Sequence, residues 1–200
     1  VRLHPTPLFV PAPDLAGVLA VLRRAERLKD TVRSGYTAGG RPESVADHTW
    51  RLCLMAVLLH EHVPDTDLLR LLKMCLVHDL GEIVGGDIPA PAQAGDKSDA
   101  ERHDLLDVLA PLPRPLRDEL VALWDEYEAA ATPEARLAKA LDKLETLLQH
   151  TQGANPPDFD YRFNLAYGRR YTTGDPVIEA LRREIDAETE RRAVESESGR

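Results

Sequence analysis

The 200-residue chain has little cysteine, few aromatics and no excess of basic charge. Its only two cysteines, Cys53 and Cys75, each lie inside an apolar helical run, where a thiol serves as a small core residue. No paired-cysteine framework exists, so nothing points to secretion. Aromatics are 5% of the chain, and Leu and Ala dominate the apolar set. Both are strong helix formers, which leans the fold to all-α. The formal net charge is −9. A surface this acidic is a poor partner for a nucleic acid polymer. It still admits a small anion where a bound divalent cation makes the site locally positive. The longest apolar run, Leu52 to Leu59, is far short of the roughly 20 residues that cross a bilayer. The proline-rich start lacks the apolar stretch of a signal peptide, so no membrane association is expected and the cytoplasm is the expected setting. No Walker loop, dinucleotide glycine pattern or nucleophile elbow is found, and no internal repeat or strand-like alternation.

What is present is a succession of helical patterns, enough for one core and one domain. Residues 1–13 read as an irregular lead-in, 14–185 as a single-domain helical bundle, and 186–200 as a charged tail with a frayed end. Asp14 caps a helix over 15–30, and a glycine-rich loop follows over 31–42. Ser44 caps the next helix, with Asp47 completing an acidic variant of the capping box. A third helix covers 67–84 and is closed by Gly85, Gly86 and Pro89. After a loop at 89–97, helices are predicted over 98–109, 117–130 and 133–152. Pro133 suits the first turn of the last of these. Residues 154–176 read as an irregular segment packed on the bundle, before a final helix over 177–193.

The chemistry gathers around His78-Asp79. Such a pair at the end of an apolar run is ordinarily a helix end meeting water. Residues three and four apart share a helix face, however, so Glu82 sits over both. Burying an imidazole beside two carboxylates is costly unless a cation compensates them. His48 lies one turn before the apolar run of the preceding helix, and so faces inward. Asp142 borders a stripe formed by Leu137, Leu141, Leu144 and Leu148. Its partner is either a lysine, Lys139 or Lys143, or a metal shared with His48, His78 and Asp79. Two imidazoles and two carboxylates suit Mn, Fe, Co, Ni or Zn without choosing among them, and Mg is a further candidate. An open position on such a metal lets its water lose a proton near neutral pH, as hydrolysis requires.

The blocks ESVADHTWRL, LVHDLGEIVGGDIPAP and EARLAKALDKLE resemble the HD-domain superfamily, and within it the 5′-deoxynucleotidases. With LWDEYE at 123–128 they span residues 22–150. The resemblance implies a helical bundle with His48, His78, Asp79 and Asp142 as ligands of a divalent metal. It implies catalytic roles for Glu82, at the attacking water, and for Asp87, at the substrate or a second cation, to which Ile88 adds a backbone oxygen. It implies that Arg33 reaches the substrate phosphate, and that the protein is a homodimer. Some bacterial relatives carry Trp directly after that arginine, where this chain has Ser34. The function implied is release of phosphate from 5′-(deoxy)ribonucleoside monophosphates. The alternatives are another phosphorylated metabolite, a nucleoside triphosphate, or a non-catalytic nucleotide sensor.

Other residues read more plainly. His60 and His62 mark an exposed helix end, and His103 a solvated surface. His4 and His150 are isolated and need no role. Trp50 and Trp124 are expected to pack in the interior. Arg169 and Arg170, flanked by Tyr167 and Tyr171, read as a packed, partly solvated segment that could alternatively bind an anion.

Overall fold

The computed structural model describes residues 15–88 and 98–198. The lead-in, the cap at Asp14, His4 and the loop with Pro89 lie outside the described residues. Nine helices and one small hairpin are found among the rest. Helix α1, Leu15–Ala25, passes through a 3-10 turn into the hairpin β1, Val32–Tyr36, and β2, Pro42–Ser44. The main bundle comprises α2, Val45–Leu59; α3, Leu68–Val77; α6, Arg114–Ala129; and α7, Pro133–Gln152. Between α3 and α6 lie the short α4, Glu82–Gly85, and α5, Ser98–Leu109. Helices α8, Tyr161–Ala166, and α9, Pro176–Ser198, close the fold against α7.

The all-α class holds, and the reasons are local. Ser44 and Asp47 form the expected reciprocal cap, with Asp47 N–H donating to Ser44 Oγ at 3.1 Å and Ser44 N–H donating to Asp47 Oδ2 at 2.9 Å. Thr132 caps α7 and Pro133 opens it. Helix α7 is the axle of the bundle, packed on by α2, α3, α6 and α9. Leu141, Leu144 and Leu147 are wholly buried against Leu52, Leu71 and Met74.

Five expectations need correction. The segment 154–176, expected to be irregular, contains helix α8 and a 3-10 turn over Arg169–Tyr171. The glycine-rich segment is an antiparallel hairpin, not a loop, pairing Val32 with Ser44 and Tyr36 with Pro42. Strands this short show no alternation to read; α7 holds them in place through Gln149, whose amide donates to the Tyr36 carbonyl at 2.5 Å. The helix predicted over 67–84 ends at Val77. Beyond it the bonds tighten to i→i+3, as in Leu80 N to Val77 O and Glu82 N to Asp79 O. Gly81 sits where α5 approaches closely; a Cβ there would lie 2.8 Å from the Glu101 carbonyl. The tail expected from residue 186 continues α9 to Ser198, with Thr189 and Ala193 buried. Trp124 is buried as expected, but Trp50 is 68% exposed on α2.

Candidate metal centre

The inward row of α2 is Val45, His48, Leu52, Met55 and Ala56, which buries the His48 ring completely. Its Nδ1 meets the carboxylate of Glu145 on α7. Arg51 holds the other oxygen of Glu145 from Nε at 2.6 Å. With Nδ1 engaged by Glu145, Nε2 faces Asp142 Oδ1, 3.4 Å off, and Asp79 Oδ2, 3.8 Å off. The break after α3 aims the second imidazole. His78 Nδ1 donates to the Cys75 carbonyl at 2.9 Å, and its own carbonyl accepts from Trp124 Nε1 at 3.0 Å. That leaves His78 Nε2 3.1 Å from Asp79 Oδ2.

Ligand atoms of His48, His78 and Asp142 all lie within 4.8 Å of one another. Neither imidazole Nε2 has a hydrogen-bond partner, although both are buried. Orphaned nitrogens of this kind are costly, and a divalent cation fits the donor set. Asp142 meets the lysine reading of its environment through Lys143. Its Oδ2 accepts from Lys143 Nζ and from the Tyr127 hydroxyl, each at 2.8 Å, while Oδ1 faces His48.

The electrostatics favour positive charge at this point. Burial would raise the Asp142 carboxyl, but Lys143 and the two imidazoles hold it well below the usual range. Asp79 is depressed against burial by His78, His48 and Arg33. Burial and Arg33 act to lower His48, yet Glu145 and Asp142 outweigh them and raise it to about 10. Arg33 is on β1, nearly buried, its NH2 donating to Thr146 Oγ1 at 3.0 Å and its NH1 3.5 Å from Asp79 Oδ2. Burial opposes its charge, but Asp79, Asp87, Asp142 and Glu43 secure it.

His78, Asp79 and Asp142 line one wall of a cavity of about 810 Å³, together with Glu82, Asp87, Ile88 and Arg33. All the residues expected at the site are therefore in one place: His48 behind the wall, the others on it. Several participants were not foreseen. Glu145 and Arg51 orient His48, and the spacing of three from Asp142 to Glu145 on one helix was the readable signal. Glu43 is buried beside Glu145 and Arg33, its carboxyl pushed up to about 7 by burial and by Glu145. His150, read as needing no role, is buried on the cavity wall. Arg169 and Arg170 also reach the cavity, at its more exposed side. His62 and His103 are exposed, as expected.

The HD-domain family pattern matches residues 25–182. The chain belongs to the HD-domain family. It is 37% identical to the 5′-deoxynucleotidase HDDC2 of Mus musculus over 142 residues, 68% of this chain and 70% of that one. It is 36% identical to the 5′-deoxynucleotidase hdd1 of Schizosaccharomyces pombe over 132 residues, 62% of this chain and 65% of its relative. Among solved structures, a predicted metal-dependent phosphohydrolase from Magnetospirillum magnetotacticum MS-1 superposes with a TM-score of 0.78 at 32% identity, covering 89% of this chain and 93% of the other.

Proposed function

We propose that this HD-domain protein is a metal-dependent phosphomonoesterase that releases phosphate from 5′-deoxynucleoside monophosphates. The observation that carries the reading is the convergence of the unpartnered His48 and His78 nitrogens with Asp142, and of Asp79 Oδ2 3.1 Å from His78 Nε2, beside a cavity also lined by Glu82, Asp87 and Arg33. The names of the relatives supply the substrate class. His48, His78, Asp79 and Asp142 would hold the cation, one of Co, Mn, Fe, Ni, Zn or Mg. Bound there, it supplies Lewis acidity towards a phosphoryl oxygen and water.

The chain's own groups do the rest. Arg33 is fixed by Thr146 and Asp79, so its guanidinium meets phosphate oxygens without reorganising. Glu82 is a buried carboxylate on the cavity wall, suited to take the proton of the attacking water. Asp87 opens onto the same cavity, where it contacts the substrate and, in its acid form, gives its proton to the leaving oxygen.

A homodimer and a cytoplasmic setting complete the proposal. The dimer is supported by the exposed apolar row Trp50, Leu54, Val57 and Leu58 on α2. The setting is supported by Cys53 and Cys75, both free thiols. The test is phosphate release from a panel of nucleotides and sugar phosphates with Co, Mn, Mg and Zn in turn. Turnover of deoxynucleoside monophosphates that disappears in Asp79→Ala is expected. Full metal-dependent activity in that variant would overturn the ligand assignment.

A further inference from the structure

A second polar cluster, His150, Asn164 and Ser34, lines the same cavity outside the metal centre. His150 is eight residues beyond Asp142 on α7, roughly 12 Å along the axis at 1.5 Å per residue. That span is comparable to a nucleoside 5′-monophosphate from phosphorus to base edge. The His150 ring is buried, and burial pushes it down to about 4, so it is a neutral imidazole with one N–H. Its Nδ1 lies 3.1 Å from Oδ1 of Asn164 and its Nε2 lies 3.4 Å from the Ser34 hydroxyl. One N–H can serve only one of these contacts. With Nδ1–H donating to Asn164, Nε2 accepts from Ser34, and the amide of Asn164 is fixed by its carbonyl end.

The Nδ2 end of that amide has no hydrogen-bond partner, although Asn164 is only 1% exposed. Its backbone is held too, since the Asn164 carbonyl accepts from the buried Arg182 at 3.0 Å. A buried, immobilised donor without a protein partner, on a residue that lines the cavity, is available to an acceptor that enters there. Phe159 packs edge-on against His150, with ring centroids 4.9 Å apart, and Phe159 and Phe163 also line the cavity. Aromatic faces beside an oriented donor are what a flat heterocycle with a carbonyl or ring-nitrogen acceptor requires.

We propose that Asn164, oriented by His150 and Ser34, is the specificity-determining donor of a nucleobase subsite. The inference rests on the nucleotidase reading for its substrate. Ser34, the residue after Arg33, contributes a hydroxyl to the network.

The experiment compares the wild-type protein with Asn164→Asp, which keeps an acceptor for His150 but removes the donor. His150→Gln serves as a second variant, and melting curves establish that each is folded. For deoxynucleoside monophosphates KM should rise about tenfold with kcat little changed, the size expected for one lost hydrogen bond. For 2-deoxyribose 5-phosphate, which has no base, KM should stay the same. Binding of free deoxynucleosides, measured by calorimetry, should weaken by the same factor. A parallel rise of KM for the sugar phosphate, or unchanged nucleoside binding, would overturn the subsite. If the wild type releases no phosphate from any nucleotide yet binds nucleosides in an Asn164-dependent way, the nucleotidase reading fails and the subsite stands.

Discussion

Glu145 never reaches the cavity, yet it governs the first imidazole. It holds His48 Nδ1 while Arg51 holds it in turn. Carboxylates behind a metal-ligating histidine fix its tautomer and raise its basicity. Glu145→Gln should therefore lower metal affinity about 10- to 100-fold while leaving the fold intact. Competition with a chelator, read by metal content, measures this without assaying turnover. His150 gives a prediction of a different kind. Burial holds its folded-state value near 4, below the ordinary imidazole value of 6.5. The unfolded chain thus binds this proton more tightly than the folded one. The stability it protects is fully present above the unfolded value and is lost as pH falls from there to about 4. The depression corresponds to about 3 kcal/mol. His150→Gln should flatten the acid limb of the stability curve over that interval, as denaturant titrations at several pH values would show.

The elements were legible where a helix repeats its pattern and illegible where context decides. The stripe on α7 and the cap at Ser44 could be read because each is a local rule written within a few residues. The hairpin could not: β1 is held by Gln149, more than a hundred positions away in the chain. The end of α3 escaped for a similar reason. Leu80, Glu82 and Ile83 keep a helical spacing, and only the approach of α5 at Gly81 shows why the turn tightens. The candidate ligands were legible as residue types at the right positions, whereas Glu43 and His150 emerged only once β1, β2 and α7 were side by side. The cap is open to a direct test. Ser44→Ala removes the acceptor for Asp47 N–H, and such changes cost about 1 kcal/mol. Because His48 is in the same first turn, the loss should appear in thermal denaturation and, as looser positioning of that ring, in metal affinity.

At the scale of the whole molecule, the surface away from the cavity has an apolar excess that the fold itself does not use. On α2, Trp50, Leu54, Val57 and Leu58 recur at i, i+4, i+7 and i+8, a single stripe, and are between 39% and 68% exposed. Leu69 and Leu76 of α3 are more than half exposed as well. The opposite row of α2 is the one that carries His48 and packs on α7. One helix thus presents the candidate metal ligand inward and a hydrophobic face outward. A Trp with two-thirds of its surface in water would anchor an interface if a partner covered it, since buried aromatics dominate association energies. Self-association through a two-fold contact would cover the stripe with its own copy. Trp50→Glu places a charge in that contact and should shift the protein from dimer to monomer in sedimentation at micromolar concentration. Because Trp50 is outside the core, the melting temperature of the monomer should fall only by what dimerisation contributed, and so should become independent of protein concentration. An unchanged sedimentation coefficient in the variant would place any dimer contact elsewhere on the surface.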